Sequence, residues 1–445
     1  MSPLSVAALV GAFPVEFPAA IVYNSPVEKI RIQGRNDFQL KGGVRIGGSK
    51  NAVLPALAAS LLTGEKVHLS NIPLVKDVFS MLKLMKELGL DYHLEGTNLT
   101  LEVPKILSEE ASYNLVKVMR ASFLVLGPLL ARFGKAIVAQ PGGCAIGLRP
   151  VDLHLAGLQR LGANITLEHG YIKAEADRLQ GADIRFEKKT VGGTEHLIMA
   201  ATLARGETIL RNCAQEPEIS NLCELLIKMG AKIEGVGEET VRIVGVDALG
   251  GADHEIIPDR IEAGTFLVAG ALTHGDIRLT GTEPSHIMTT IEKLRYSGAT
   301  IDIDGKTLHV VGSAEIRPQD VTTSPYPGFP TDMQAQFMVL MTQATGTSII
   351  TETIFDRRFQ HVNELLRLGA AIEVLGDKAV VHGRTPLSGA EVIATDLRAS
   401  ASLILAGLIA SGETIVNDVE HIDRGYERIE EKLRALGARI ERFRD

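Results

Sequence analysis

The 445-residue chain contains no tryptophan, only 4% aromatic residues, and just three cysteines, Cys144, Cys213 and Cys223. Three scattered cysteines are too few for a disulfide framework or a thiolate metal cage, which indicates a reducing cytoplasm. We find no metal-ligand spacing and expect no metal. Excess positive charge is also missing, since 46 Lys and Arg stand against 54 Asp and Glu. A net charge of -8 argues against nucleic acid or a membrane surface as partner, because either would require a basic face.

Long apolar runs are absent as well. The run ASFLVLGPLLA from Ala121 falls short of the roughly 20 residues that a membrane helix needs. The first 26 residues are apolar, but they contain no Lys or Arg and are interrupted by Pro3, Pro14 and Pro18, which argues against a signal peptide. We expect residues 1–26 to be a flexible extension. The rest of the chain is long enough for two hydrophobic cores.

The sequence does contain an internal repeat. Phrases such as LMKELGL, IKMGAKI and LRALGARI recur, and each is typical of a helix end that is followed by a strand. A glycine at this place predicts a helix C-cap with positive φ. The glycines lie roughly 70 residues apart and define six units: Gly89, Gly162, Gly230, Gly298, Gly369 and Gly437.

Each unit also carries a helix of small apolar residues upstream, as in EAGTFLVAGALTHGDIRLTG. A helix that is apolar nearly all round must be covered on every side. Three such helices inside a ring of sheets meet this requirement, which predicts an α/β protein of two three-unit domains with a boundary near 253–257. A single closed ring of six units is the alternative that the repeats leave open.

Charged residues stand at the predicted starts of these buried helices. Lys50, Arg120 and Arg398 lie at the helix end where partial positive charge disfavours a cation. Equivalent positions of similar units converge in space, so the three cations predict an anion site, although solvated side chains remain the simpler alternative. The same position in the other units is taken by Thr190 to Gly192, Asp259 and Asp332.

A second charged set precedes the amphipathic helices, and comprises Arg149, Glu216, Glu218, Arg358 and Arg424. Loops on one face of a repeat array commonly form its binding face. The two sets together predict a cationic cleft on an acidic protein, and hence a substrate with several phosphates or carboxylates. No phosphate-binding loop motif occurs, which disfavours a kinase or an ATPase.

Three further side chains are candidates for chemistry. Cys144 lies in a glycine-rich loop before Arg149, so we expect a reactive thiolate that acts as nucleophile or proton donor. Cys213 and Cys223 fit apolar filling positions instead. Asp332, at a helix start among arginines, is the best candidate for a general base. His154 is interpreted as a residue of the helix surface.

Several long phrases resemble the UDP-N-acetylglucosamine 1-carboxyvinyltransferase family, from about Val27 to the C-terminus. They include GSKNAVLPALAASLL, MRASFLVLGPL, PGGCAIGLRPVDLH, QEPEIS, IPDRIEAGTF, FPTDMQAQ, TDLRASASL and HIDRGYERIEEKLRALGA. The resemblance implies an inside-out α/β barrel of two domains. We expect residues 50–257 to form the first domain with the Cys144 loop, and residues 27–49 plus 258–445 to form the second.

The resemblance implies transfer of the enolpyruvyl group of phosphoenolpyruvate to the 3-hydroxyl of UDP-N-acetylglucosamine by addition and elimination, the first committed step of peptidoglycan synthesis. It implies no cofactor. In this picture Lys50, Arg149 and Arg424 hold the phosphate, and Arg358 and Arg398 hold the carboxylate. Asp332 accepts the hydroxyl proton, and Cys144 serves as acid near C3 or forms a covalent adduct. The remaining implied substrate contacts are Asn51, Arg120, Pro150, Val151, Asp152, Leu153, Lys188, Thr190, Val191, Gly192 and Ile354.

Departures from the family pattern are few. Lys189 and Glu195 flank the expected diphosphate segment, and Asp356 and Arg357 stand where Glu-Asn is familiar. Two alternatives remain open at this point. One is 3-phosphoshikimate 1-carboxyvinyltransferase, which shares the fold but lacks the cysteine loop, and the other is a non-catalytic scaffold that binds nucleotide sugars.

Overall fold

The computed structural model describes residues 28–35, 37–116, 119–140, 151–356 and 358–444. The predictions for residues 1–26, Cys144, Arg149, Pro150 and Arg357 lie outside these ranges.

Within these ranges the strands form six four-stranded sheets that share one pattern. An edge strand runs parallel to a central strand, which pairs antiparallel with a third strand, and the fourth strand pairs antiparallel with the third. We call residues 50–257 the first half of the molecule and residues 28–49 plus 258–444 the second half. In the order just given, the sheets of the first half are Ala252–Glu255, Val67–Ser70, Asn98–Glu102 and Asp91–Glu95; Glu110–Ala111, Lys135–Ala139, Tyr171–Glu175 and Asn164–Glu168; and Asp183–Arg185, Glu207–Arg211, Thr240–Val244 and Lys232–Glu234.

The sheets of the second half use both ends of the described chain. Glu28–Gly34 takes the third position of the last sheet, where Ile30 lies opposite both Val416 and Arg442. The three sheets, in the same order, are Lys41–Arg45, Asp276–Thr280, Thr307–Val311 and Thr300–Asp304; Val321–Thr322, Thr347–Thr351, Lys378–His382 and Ala371–Leu375; and Glu391–Ile393, Gly412–Asn417, Glu28–Gly34 and Ile440–Arg444.

The helices of small apolar residues are buried behind these sheets, as their composition predicts. In the second half the three helices contact one another, and nearly all of their side chains are buried. Truncating one of these leucines to alanine would cost roughly 2 to 5 kcal/mol. The buried helices are Lys50–Ala59, Leu126–Phe133, Val191–Ala201, Arg260–Leu272, Gln334–Met341 and Leu397–Ile409, with 3-10 turns at Ser60–Leu62, Arg120–Val125, Pro284–Ile287 and Thr331–Met333.

Amphipathic helices cover the outside of the repeats. The predicted C-caps are confirmed, because the six repeat glycines all have φ between 91° and 116°. These helices are Lys76–Leu88, Asp152–Arg160, Pro217–Lys228, Met288–Tyr296, His361–Arg367 and Ile429–Ala435, and two short helices span Tyr113–Val116 and Glu420–Asp423. None of the helices in the described ranges is long and apolar enough to cross a membrane.

The buried hydrophobic residues form two clusters. One comprises residues between Ala52 and Ile256, and the other joins Ile30 to Ile46 with Ile261 to Ile440. The two connecting segments run side by side, because Ser49 N donates to Ile257 O at 2.7 Å and Asp259 N donates to Gly47 O at 2.9 Å. The two clusters support the division into domains 50–257 and 27–49 plus 258–445, which stays a prediction.

Gly48 lies where these two segments cross. A Cβ atom there would stand 1.8 Å from the carbonyl oxygen of Asn71, so only glycine permits the close approach. The crossing places the starts of two buried helices together, and the backbone N–H of Lys50 donates to Asp259 Oδ2 at 3.3 Å. Side chains from both halves therefore meet here.

Candidate active site

The predicted charged residues do stand at the starts of buried helices. Lys50 opens the first helix, Arg120 opens a 3-10 turn, and Arg398 is the second residue of Leu397–Ile409. The equivalent starts in the other units are the cap Thr190, the cap Asp259 and the turn containing Asp332. The repeat alignment therefore identified one structural position in all six units.

Asp332 lies between two arginines. Arg358 Nη2 donates to its Oδ1 at 2.7 Å, and Arg398 Nη2 donates to its Oδ2 at 3.2 Å. Both guanidinium groups are buried, and the Asp332 side chain is 26% exposed. Although burial opposes ionisation, the charges of Arg358 and Arg398 hold the pKa of Asp332 far below its usual range. Asp332 is an ionised carboxylate in this state, as predicted.

Arg398 is itself held by a buried polar network. Its guanidinium lies 5.3 Å from the ring centre of Tyr426, whose hydroxyl lies 2.8 Å from Thr265 Oγ1. Gln336 Nε2 donates to the Tyr426 hydroxyl at 3.3 Å and to the backbone oxygen of Asp332 at 2.9 Å. Arg398 Nη1 is buried without a hydrogen-bond partner among the described residues. A buried donor of this kind favours an incoming anion.

A second carboxylate, Asp77, bridges two cations from opposite halves of the molecule. Lys50 Nζ lies 2.9 Å from its Oδ2, and Arg424 Nε donates to its Oδ1 at 2.9 Å. The Asp77 side chain is 2% exposed. Burial raises its pKa, but the charges of Lys50 and Arg424 prevail and lower it below the usual range. Asp77 is the residue that the sequence argument missed, although its place at the start of an amphipathic helix was a usable signal.

The two carboxylates belong to one electrostatic site. The charge of Lys50 also lowers the pKa of Asp332, so Lys50 acts on both groups. This geometry corrects the argument that Lys50 and Arg398 lack an anion, because the protein supplies Asp77 and Asp332. A substrate anion must therefore compete with these carboxylates or bind beside them.

Arg120 and Asn51, at two of the helix starts, are partly buried. The other predicted substrate contacts fall at further helix starts and on one loop. Val151 is buried just before the helix that opens with Asp152, whereas Asp152 is exposed and Leu153 is half-buried. Thr190 caps the helix Val191–Ala201, since Gly193 N donates to its Oγ1 at 3.2 Å. Lys188, Val191 and Ile354 are exposed, and Gly192 is half-buried.

One interpretation of the sequence was wrong. His154 is not a surface residue but is 6% exposed, because it packs against His196 and Phe123. Lys189, which departs from the family pattern beside the expected diphosphate segment, is paired within the protein, since its Nζ contacts Glu239 Oε1 at 2.6 Å and donates to Gln215 Oε1 at 3.1 Å. Glu195 is buried, and burial together with Glu218 and Glu216 raises its pKa.

A further buried ion pair links the two halves. Arg260 Nε donates to Glu218 Oε1 at 2.9 Å, and both side chains are at least nine-tenths buried. Cys213 and Cys223 are fully buried fillers, as predicted, and burial raises their pKa values to about 11 and about 12. The described residues contain no cluster of three His, Cys, Asp or Glu side chains that could hold a metal ion.

The chain is similar in sequence to known transferases. A family model for EPSP synthase (3-phosphoshikimate 1-carboxyvinyltransferase) matches residues 35–433. The UDP-N-acetylglucosamine 1-carboxyvinyltransferase of Koribacter versatilis (strain Ellin345) is 57% identical over 413 residues, which cover 92% of this chain and 95% of the relative. The protein of that name from Solibacter usitatus (strain Ellin6076) is 55% identical over 405 residues, which cover 91% and 97%.

Solved structures share the fold. The enolpyruvyl transferase NikO from Streptomyces tendae superposes with a TM-score of 0.84 at 25% identity, covering 95% of this chain and all of the other. EPSP synthase from Acinetobacter baumannii gives a TM-score of 0.71 at 18% identity, covering 94% and 100%. The expected inside-out α/β barrel is confirmed. The chain belongs to the EPSP synthase family and, within it, to the UDP-N-acetylglucosamine 1-carboxyvinyltransferases.

Proposed function

We propose that the protein transfers the enolpyruvyl group of phosphoenolpyruvate to the 3-hydroxyl of UDP-N-acetylglucosamine and releases phosphate. The observation that carries the proposal is one carboxylate, Asp332, held between two buried arginines beside Lys50. This arrangement offers a base, two carboxylate-binding groups and a phosphate-binding cation within one site. Relatives that are 55% and 57% identical carry the name of this activity.

Phosphoenolpyruvate carries a carboxylate and a phosphate, and the site has cations for each. Arg358 and Arg398 bind the carboxylate, because planar guanidinium groups match a carboxylate with two parallel hydrogen bonds. Lys50 and Arg424, together with Arg149 from outside the described ranges, bind the phosphate. Lys50 and Arg424 come from opposite halves of the molecule, so the phosphate draws the two halves together.

Binding of the substrate prepares Asp332 to act as the base. In the free protein Arg358 and Arg398 hold its pKa far below the ordinary value, which makes it a weak proton acceptor. The carboxylate of phosphoenolpyruvate takes a share of the same guanidinium donors. Each donor that turns from Asp332 to the substrate raises the pKa of Asp332 and strengthens it as a base.

Addition begins when Asp332 accepts the proton of the sugar 3-hydroxyl and the hydroxyl oxygen bonds to C2 of phosphoenolpyruvate. The electron pair of the double bond takes a proton at C3, which Cys144 supplies in our proposal. Elimination reverses the proton transfer at C3, re-forms the double bond and breaks the bond between C2 and the phosphate oxygen. Lys50 and Arg424 stabilise the charge of the departing phosphate.

The nucleotide sugar binds along the helix starts of the first half, with Asp332 and Ile354 contributed by the second half. Asn51 and Asp332 contact the amino sugar. The uridine and the diphosphate are bound by Arg149, Pro150, Val151, Asp152 and Leu153, together with Lys188, Thr190, Val191 and Gly192. Arg120 and Ile354 complete the set of substrate contacts. The helix that Thr190 caps contributes partial positive charge for the diphosphate.

The reaction commits an amino sugar nucleotide to peptidoglycan synthesis. Phosphoenolpyruvate and the nucleotide sugar are both made in the cytoplasm, where we place the protein.

Phosphate release tests the proposal. The protein with phosphoenolpyruvate and UDP-N-acetylglucosamine should release one phosphate per sugar consumed, and shikimate 3-phosphate should give no release. Release with shikimate 3-phosphate alone would favour the related synthase. Binding of UDP-N-acetylglucosamine without any release would leave a non-catalytic scaffold.

A further inference from the structure

Two histidines form a buried hydrogen-bonded pair in the first half of the molecule. His196 is 0% exposed and His154 is 6% exposed. Their Nδ1 atoms lie 3.0 Å apart, so one of them must donate to the other. Phe123 lies edge-on against both rings, with centroid distances of 5.4 Å and 5.6 Å. The hydrogen bond between the two rings therefore lies in the interior, packed against an aromatic side chain.

A backbone contact determines which nitrogen carries each proton. The N–H of Gly127, in the first turn of Leu126–Phe133, donates to His196 Nε2 at 2.6 Å. A neutral imidazole has one donor and one acceptor nitrogen, so His196 carries its hydrogen on Nδ1 and donates it to His154 Nδ1. Because His154 accepts at Nδ1, its own hydrogen lies on Nε2.

Gly127 is required for this contact. A Cβ atom there would stand 2.6 Å from His196 Cδ2 and 2.8 Å from His196 Nε2, which no side chain tolerates. The N–H groups in the first turn of a helix have no acceptor within the helix. The imidazole of His196 supplies one for Gly127, and this contact fixes the ring in place.

The pair is held neutral by its surroundings. Burial lowers the pKa of His154 to about 3, with a further contribution from the charge of Arg120 and an opposing one from Asp152. Burial and His154 lower the pKa of His196 well below its ordinary value. Protonation of His154 would also break its bond to His196, because Nδ1 could no longer accept. His154 Nε2 is thus a neutral donor across the pH range of ordinary histidine titration.

The Nε2 side of His154 faces a helix start. A Cβ atom on Gly192 would lie 3.3 Å from His154 Cε1 and 3.6 Å from His154 Nε2. Gly192 belongs to the first turn of the 11-residue helix Val191–Ala201, whose early N–H groups have no partner within the helix. Among the described residues His154 Nε2 has no hydrogen-bond partner. A donor without a protein partner, on a side chain that is 6% exposed and beside an electropositive helix end, calls for an anionic oxygen.

We propose that His154 donates from Nε2 to a diphosphate oxygen of the nucleotide sugar, and that His196 fixes His154 in this tautomer. The inference rests on the proposed function, which supplies the nucleotide. His154 is then a binding residue, and His196 is a positioning residue that acts through it. A neutral donor keeps the affinity for the nucleotide constant over the pH range in which an ordinary histidine would gain charge.

The tautomers can be observed directly in the free protein. In ¹⁵N-detected NMR of histidine-labelled protein, we expect His154 as the neutral Nε2–H form and His196 as the neutral Nδ1–H form between about pH 5 and pH 8. Titration of His154 within this range would overturn the inference, and so would an Nδ1–H form of His154.

Binding of UDP tests the donor. His154→Phe keeps a ring against Phe123 but removes Nε2–H, so we expect UDP affinity to fall roughly tenfold, with uridine affinity unchanged. His254→Phe is the matched control, because His254 is also buried but bonds to Asn221. It should bind UDP like the unaltered protein. Unchanged UDP affinity in His154→Phe would overturn the inference, as would an equal loss for uridine.

Substitutions of His196 separate positioning from packing. His196→Gln keeps one acceptor for Gly127 and one donor for His154, and its UDP affinity should stay independent of pH. His196→Leu keeps the packing but removes the donor to His154 Nδ1, so the Nε2–H form of His154 should no longer be the single tautomer in the NMR spectrum, and UDP affinity should fall. An unchanged, single Nε2–H tautomer of His154 in His196→Leu would contradict the positioning role.

These outcomes are distinguishable from a failure of the proposed function. If the unaltered protein releases no phosphate but His154→Phe binds UDP about tenfold more weakly, the proposed enzyme activity is wrong and His154 is still a donor to the diphosphate. If the unaltered protein releases phosphate and His154→Phe binds UDP with unchanged affinity, the enzyme activity stands and only the role of His154 as a donor is wrong.

Discussion

Arg358 donates to Asp332 at 2.7 Å, and this pair lies at the start of a buried helix with Arg398 on the other carboxylate oxygen. In the free protein Asp332 thus occupies the arginines that we propose for the carboxylate of phosphoenolpyruvate. Binding of phosphoenolpyruvate therefore also activates the base, because the pKa of Asp332 rises when a guanidinium donor turns from Asp332 to the substrate.

Arg398→Ala should weaken the binding of phosphoenolpyruvate far more than the binding of the nucleotide sugar. The variant loses a charge-assisted pair worth roughly 1.5 to 3 kcal/mol, which corresponds to a 10- to 150-fold rise in KM for phosphoenolpyruvate. Steady-state kinetics with each substrate varied in turn measure this difference. An equal loss for both substrates would mean that Arg398 does not bind the carboxylate.

Asp332→Asn should lower kcat by roughly 100- to 10,000-fold, because an amide cannot accept the hydroxyl proton. Phosphoenolpyruvate should still bind, since Arg358 and Arg398 lose a competing carboxylate. Phosphate release measures kcat, and isothermal titration with phosphoenolpyruvate measures binding. A variant that retains turnover would exclude Asp332 as the base.

Asp77→Asn should lower the free energy of unfolding by roughly 2 to 4 kcal/mol, because Lys50 and partly exposed Arg424 lose their common anion. Inorganic phosphate should restore part of this loss and raise the melting temperature of the variant more than that of the unaltered protein. Equal shifts in both proteins would contradict a phosphate site at these cations. Glu420→Gln is the control, because it removes the exposed partner of Lys76 instead.

The same variant gives a signed pH dependence. The pKa of Asp77 is lowered in the folded protein, so its stabilising contribution is present above its unfolded pKa of about 3.9. That contribution is lost as the pH falls through the folded value. The difference in unfolding free energy between the unaltered protein and Asp77→Asn should therefore be constant near neutral pH and shrink below about pH 4. A difference that grows on acidification would contradict the ion pair.

Fosfomycin should inactivate the protein by alkylation at Cys144 alone. Cys213 and Cys223 are buried, with pKa values raised to about 11 and about 12, so they lack accessible thiolate. Peptide mass spectrometry locates the adduct. Cys144→Asp should stay active and become resistant, whereas Cys144→Ala should lose most of the addition chemistry. An adduct on Cys213 or Cys223 with Cys144 unmodified would remove Cys144 from the mechanism.

Much of this architecture could be predicted because it repeats. Six glycines needed for helix ends, and apolar helices that must be covered, are visible in a single sequence. The alignment of units also placed Lys50, Asp332 and Arg398 at equivalent helix starts, since spacing along the chain determines which residue opens each helix.

The partners of these residues could not be predicted in the same way. Asp77 meets Arg424 only because the two halves of the fold come together, and nothing in the spacing of either residue records that contact. His154 looked like a surface residue because one histidine in a helix gives no sign of burial. Its environment depends on His196 and Gly127, which lie on other helices.

The reaction product formed in deuterated water tests the central claim most directly. The protein is incubated with phosphoenolpyruvate and UDP-N-acetylglucosamine, and the nucleotide product is analysed by mass spectrometry and NMR. We expect an enolpyruvyl ether at the 3-oxygen of the sugar with deuterium in its vinyl methylene group, because addition protonates C3 and elimination removes one of three hydrogens. An unlabelled vinyl group, or no enolpyruvyl ether on the sugar, would contradict addition and elimination at this site.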